Sequence, residues 1–393
     1  MKRIWEWQLR FRPAGQILLG FFAIIALSAC HKEPPLNSDG EPSELRVGYF
    51  PNVTHAQAIV GVAQGEFQKA VGEGVRIVPE TFNAGPAAIE ALYAGHIDIA
   101  YVGPSPALNG FLQSKGQEVR VIAGSAINGV TVVGNRKRGI TRIAQLKGGK
   151  IATPQYANTQ DISARYFLGV QYGFKLSDAG GKTDIIPISN PDIETLFAKN
   201  QIDAAWVPEP WGTRLIKKNL AVEITRESEL WEGKSFAITT VIARRDFVTK
   251  HPELAARFLQ AHIRLTQQLQ ADAQKFAKVI NSEIKRITGK ALDDDVLRGA
   301  LKNTGFSIDP SARSFEQYFQ MARDVGIYPQ TEFDVQKLLY TGPLVAAAAK
   351  LGFIFSVPII PKKYEPLKSN YENNNAIETP RSAADAQTSG TES

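Results

Sequence analysis

A chain of 393 residues, 44% apolar and 21% charged, is long enough for two domains of ordinary size and has the composition of a globular protein, which excludes disorder over most of its length. Of the formal charge of +6, half sits in the first 29 residues, where Lys2, Arg3, Arg10 and Arg12 face Glu6 alone. The remaining +3 is too mild to point to nucleic acid, and no run of basic residues interleaved with aromatics is present.

In chain order, the basic start precedes an apolar run over 17–29, too short to span a bilayer and of the right length for a signal-peptide core. It ends in "LSAC" (27–30), which resembles a bacterial lipobox. That resemblance implies cleavage before Cys30 and a lipid on Cys30, enough to hold a folded domain at a membrane surface. Cys30 is the only cysteine, so no internal disulfide can form. Residues 1–29 are therefore expected to be a signal peptide and 30–43, polar and rich in Pro and Gly, a tether.

From Glu44 strands and helices alternate: "ELRVGYF", a helical "HAQAIVGVAQGEFQKAV", "VRIVPETF", "GPAAIEALYAG", "IDIAYVG" and "PALNGFLQSK". A second series runs from "KIATPQ" through "TQDISARYFLGVQYG", "DIIPIS" and "PDIETLFAKN" to "IDAAWVP". Such alternation predicts α/β architecture, each lobe a mostly parallel sheet flanked by helices. The β-rich "SFAITTVIARR" (235–245) is expected to cross back to the first lobe, followed by a long amphipathic helix. The predicted organisation is lobe 1 over 44–133 and 239–330, lobe 2 over 134–238, a helical extension over 331–357 and a disordered tail over 358–393.

Two stretches echo each other. "IDIAYVGPSPAL" (97–108) matches "IDAAWVPEPWGT" (202–213), and "EALYAG" (90–95) matches "ETLFAK" (194–199). A helix, strand and loop repeated in the same order predicts two similar lobes with a hinge and a cleft between them, a favoured place for a ligand.

Loops after the strand C-termini line the crevice of parallel α/β sheets, and several here carry helix-start signals. Ser105 is read as an N-cap with Pro106 as the first helical residue. Thr54 is read as capping a helix that starts near His55, and Asn158 or Thr159 as capping the next, with Gln160 reaching into the cleft. Unpaired N–H groups at helix starts hold anions; an ordinary capped helix is the bland alternative. Asp161 reads as a helix-stabilising acid and Asp98 and Asp203 as structural. Trp211 is either an apolar wall over a ligand or packing between helices. Glu209 either meets a ligand ammonium or, the preferred reading, bonds to backbone amides across the cleft.

The series "LSAC", "GYFPNVTHAQA", "GPSPAL", "NTQD" and "PEPW", in this order, resembles the periplasmic substrate-binding lipoproteins of bacterial ABC importers, in their nitrate/sulfonate/taurine (NMT1-like) group, over residues 44–330. The resemblance implies a type II periplasmic-binding-protein fold that captures its ligand by hinge closure and delivers it to a membrane permease. The protein would be exported and anchored by lipid on the periplasmic or cell-surface side. Asn52, Thr54, His55, Ser105, Asn158, Thr159, Gln160, Glu209 and Trp211 would line the pocket. The expected ligand is a small organic anion, foremost an aliphatic sulfonate, with nitrate, bicarbonate or a thiamine-precursor pyrimidine as alternatives. A receptor-coupled sensor is a further reading. An enzyme on this fold is disfavoured: there is no Walker loop, no Gly-x-Ser-x-Gly elbow, no cysteine cluster, and the five histidines lack metal-ligand spacing. No cofactor is implied.

Overall fold

The computed structural model describes residues 34–356. The expectations for the signal peptide, for lipid on Cys30 and for the tail over 358–393 lie outside the described residues. Among the described residues eleven strands form two sheets. They are β1 (Glu44–Tyr49), β2 (Arg76–Thr81), β3 (Ile99–Val102), β4 (Val119–Asn128), β5 (Val130–Asn135), β6 (Lys150–Thr153), β7 (Asp184–Pro187), β8 (Ala204–Pro208), β9 (Ala221–Arg226), β10 (Ala237–Arg244) and β11 (Thr304–Phe306). The first sheet has the order β11-β4-β10-β3-β1-β2 and the second β7-β6-β8-β5-β9.

The repeated sequences occupy equivalent places. β3 and β8 are the central strands, buried along their whole length because helices cover both faces. Each begins beside an aspartate with the same task. Asp98 accepts the backbone N–H of Arg46 in neighbouring β1 (3.0 Å), and Asp203 accepts that of Lys150 in neighbouring β6 (2.7 Å). Each also pairs with an arginine, Arg46 and Arg138 respectively. The matched residues thus anchor the start of a strand at the sheet end opposite the crevice.

Both sheets are mixed, where mostly parallel sheets were expected. β1, β2 and β3 run parallel, as do β6, β7 and β8, but β10 runs antiparallel to β3 and β4, and β5 antiparallel to β8 and β9. The cause is the double crossing between lobes: the strand next to each central strand enters from the other lobe and runs against it. One crossing is the turn at Asn128–Gly129, both with positive φ (59° and 73°), so the second sheet starts at Val130, earlier than the boundary at 134. The other follows β9 and leads into β10. The two crossings bond to each other through Asn128 N–H to Phe236 O (3.0 Å) and Phe236 N–H to Asn128 Oδ1 (3.3 Å).

The long helix Pro252–Asp272 closes one face of the first sheet. His262 on it bridges Tyr101 of β3 and the Gly124 carbonyl of β4 at 2.9 and 2.8 Å. The stretch expected as an extension from 331 belongs to the same body. Tyr340 donates to the Val121 carbonyl of β4 (2.8 Å), and helix Gly342–Lys350 buries Leu344, Ala347 and Ala348. Among the described residues no helix is long and apolar enough to cross a membrane.

Candidate ligand-binding site

Five helices begin at the crevice between the sheets: the turn Val53–His55 leading into Ala56–Ala63, then Gly85–Tyr93, Pro104–Gln113, Thr159–Arg165 and Asn190–Ala198. The first three belong to the first lobe and the last two to the second. Their starts enclose a cavity of about 50 Å³. Around it stand Asn52, Thr54 and His55, then Ala84 and Gly85, Gly103 and Pro106, Asn158, Thr159 and Gln160, and Asn190. No charged side chain lines it.

The positive character of this cavity therefore comes from the backbone. Each helix start brings the positive end of a dipole, worth about 0.3–1 kcal/mol for an anion at an exposed site and up to about 2 where partly buried, while Pro86, Pro104, Pro106 and Pro191 supply no N–H and leave few free donors at their starts. His55 adds a neutral donor. Burial lowers its pKa to about 3, and its Nδ1 accepts the Phe50 N–H at 3.4 Å, which leaves the proton on Nε2. Thr159 Oγ1 and Asn190 Oδ1 are buried without a partner, a costly state unless something in the cavity meets them.

Glycine permits the crowding. A Cβ on Gly85 would overlap the Pro106 ring, and one on Gly103 would overlap Thr159 Oγ1. The second of these approaches joins the lobes, so they are closed on each other here. Trp211 Nε1 also reaches Asn52 Oδ1 across the gap at 3.3 Å.

Of the residues singled out from sequence, Asn52, Thr54, His55, Asn158, Thr159 and Gln160 come together on the cavity wall. Asn158 is the N-cap, accepting Asp161 N–H at 2.8 Å, which frees Thr159 to face the cavity. Asp161 bonds Thr153 Oγ1, Ala157 N–H and Arg165. Thr54 caps nothing; Asn52 stands at the N-cap position of its turn without a side-chain cap bond. Ser105 is not an N-cap either: the helix already starts at Pro104 with Gly103 as cap, which places Ser105 in the first turn, off the wall, its Oγ buried and unpartnered.

Glu209 stands apart from the cavity, and its donor from the opposite lobe is the side-chain amide of Asn303, not a backbone amide. Its carboxylate accepts Thr131 Oγ1 (3.2 Å), Thr213 Oγ1 (2.9 Å), Thr213 N–H (3.2 Å) and Asn303 Nδ2 (2.9 Å). Burial raises its pKa while these donors lower it. Its role is to tie β5, β8 and, through Asn303, the first lobe together. Trp211 lies outside the inner cavity, on a wider chamber of about 800 Å³ that shares Phe50, Asn52, Asn83, Ala84, Pro154 and Asn190 with it. The starts at Gly85 and Asn190 carry a proline in the first turn, Pro86 and Pro191, the signal also present at Pro104, and are readable from sequence. Among the described residues no group of three His, Cys, Asp or Glu side chains is placed to hold a metal.

Two lobes on a hinge, a mixed sheet in each and helix starts facing one cleft define a two-lobed binding-protein fold. The same fold is found in the alkanesulfonate-binding protein SsuA of Xanthomonas axonopodis pv. citri bound to MOPS (19% identity, TM-score 0.62, covering 77% of this chain and 99% of that one). It is also found in the nitrate-binding protein NrtA of Synechocystis PCC 6803 (16% identity, TM-score 0.62, 79% and 89% covered). The model of the NMT1-like family matches residues 38–282, and the chain belongs to that family. A putative binding protein of Brucella abortus is 30% identical over 220 residues; the match takes in 55% of this chain and spans 63% of that relative's length. The putative aliphatic sulfonates-binding protein of Bacillus subtilis is 25% identical over 287 residues (72% and 80%), and the taurine-binding periplasmic protein of Escherichia coli 26% over 230 (58% and 69%).

Proposed function

We propose that this protein is the extracytoplasmic solute-binding component of an ABC importer, capturing a small organic anion with a sulfonate-like head by hinge closure and delivering it to a membrane permease. The observation that carries this reading is the convergence of five helix starts from both lobes on one small cavity without a charged side chain. Such a cavity suits a compact oxyanion that must be held and later released: dipole ends and a small set of neutral donors share a charge that no fixed cation neutralises. A ligand touching helices of both lobes favours the closed form through its differential affinity, the physical requirement for closure. The sulfonate- and taurine-binding relatives support this head group. The same inner cavity would accept nitrate, but the chamber that opens from it gives room for an organic body. The protein acts as a binder and not as an enzyme. Its only reactive-looking ring in the cavity, His55, is kept neutral and is placed as a hydrogen-bond donor. Export, with lipid on Cys30, completes the proposal.

Thermal melting against a panel of alkanesulfonates, taurine, nitrate, bicarbonate and a phosphonate tests it. A ligand at about 1,000 times its Kd adds roughly 4 kcal/mol, a rise of several degrees. A sulfonate-selective rise is expected. A rise with nitrate or bicarbonate alone would overturn the sulfonate assignment, and a flat response from folded protein would overturn the whole reading.

A further inference from the structure

The outer chamber has a polarity of its own. Phe82, Trp211, Ile284 and Leu292 give it apolar walls, while Arg214 and Lys290 bring two cations to it. Arg214 lies over the Trp211 ring, 5.3 Å from its centroid. Its Nε is 2.6 Å from Glu194 Oε2, close enough for charge attraction but out of line for a hydrogen bond, and its terminal nitrogens meet no acceptor among the described residues. Lys290, in the turn between helices Ala277–Thr288 and Asp294–Asn303, forms no ion pair with any described residue. The chamber's one carboxylate among the described residues, Glu194, is already shared by Arg214 and Lys218. The chamber thus holds a positive surplus beyond the helix starts of the inner cavity. At about 800 Å³ it is also far larger than a methyl or aminoethyl group needs, since cavities of this size take drug-sized ligands.

Resting on the binding function proposed above, we infer that the ligand is an elongated dianion. An oxyanion head occupies the inner cavity, an apolar body lies along Phe82 and Trp211, and a second acidic group, a carboxylate or sulfonate, meets Arg214 and Lys290. A planar guanidinium with free donors in a half-dry chamber is well suited to such a group, because charge-assisted bonds to it are shorter and stronger than neutral ones. Trp211 then has two tasks. It covers the body of the ligand, and it joins the lobes through Asn52.

Calorimetric titration of the full chain in detergent with length-matched pairs tests this: butanesulfonate against 4-sulfobutanoate, hexanesulfonate against 6-sulfohexanoate, and the corresponding α,ω-disulfonates. The dianion is expected to bind about tenfold tighter or better than the monoanion at one or more lengths, with the advantage shrinking as salt rises. In Lys290→Gln and, separately, Arg214→Gln the dianion-to-monoanion ratio is expected to fall below about threefold. Lys290→Gln is exposed and safe for folding, so it decides the matter if Arg214→Gln disturbs Trp211. Monoanions that bind as tightly as dianions at every length would overturn the dianion inference and leave the binding function standing. So would an advantage that survives in Lys290→Gln. Failure of every sulfonate to bind would overturn both.

Discussion

Thr159 and Gly103 meet where the lobes close, and each carries a separate prediction. Thr159 Oγ1 is buried, unpartnered and on the cavity wall, so Thr159→Ala is expected to weaken ligand binding by about 1 kcal/mol or more while leaving the melting temperature of the free protein nearly unchanged. Ser105→Ala is expected to cost less affinity, since Ser105 stands behind the wall; equal losses in the two variants, measured by titration, would contradict the assigned geometry. Gly103→Ala places a methyl group against Thr159 Oγ1. It should leave each lobe folded and oppose closure, seen as an affinity loss of about tenfold or more with unchanged secondary structure by circular dichroism. Cap signals made Asn158 and Thr159 readable from sequence. Ser105 was misread because "GPSP" offers two prolines, each able to open a helix, and only the extended backbone of Gly103 decides for Pro104. That Glu209 is a bonded carboxylate reaching across the cleft was readable, but its partner there was not, since Asn303 lies 94 residues away.

At the scale of elements, the connection from β9 to β10 holds a second buried carboxylate. Glu227 accepts Ser163 Oγ (2.7 Å), Trp206 Nε1 (2.6 Å) and Trp231 Nε1 (3.0 Å), and pairs with no cation among the described residues. Ser163 sits on the helix that starts at Thr159, Trp206 is the core residue of β8, and Trp231 stacks on Phe236 and meets Tyr318 edge-on. The carboxylate therefore joins a helix that starts at the cavity to the crossing. Burial raises its pKa to about 7, against the opposing pull of its three donors. A pKa higher in the folded than in the unfolded state means that folding takes up a proton between about pH 4.5 and 7. The stabilising contribution is fully present below the unfolded value and is lost as pH rises through 7, on the order of 3 kcal/mol in all. Denaturant melts from pH 5 to 8 should show this fall in the wild type and a flatter profile in Glu227→Gln; parallel profiles would exclude Glu227 as the source. The echoed sequences foretold the repeated strand-helix units, because residue types at a strand start and a helix start are locally determined. They did not foretell the antiparallel strands beside the centre, because nothing in the residues of β5 or β10 records which neighbour they will join.

For the whole molecule, the double crossing forms a hinge, and the lobe contacts hold the lobes closed on each other. Contacts that join the lobes include Trp211 with Asn52, Thr159 with Gly103, Asn303 with Glu209 and Thr213, Trp231 with Tyr318, and the ion pairs Lys217–Asp295 and Arg313–Glu232. Removing one, as in Asn303→Ala, is expected to shift the free protein toward the open form, giving a larger radius of gyration by small-angle scattering that returns to the wild-type value on saturation with ligand. No change on ligand addition in either protein would argue against closure. The central claim is that helix starts of both lobes hold an oxyanion between them. Titration of an alkanesulfonate into the wild-type protein and Thr159→Ala, by calorimetry under identical conditions, tests it most directly. The account predicts saturable one-to-one binding that is about fivefold or more weaker in the variant. No binding heat in the wild type, or the same Kd in both, would contradict it.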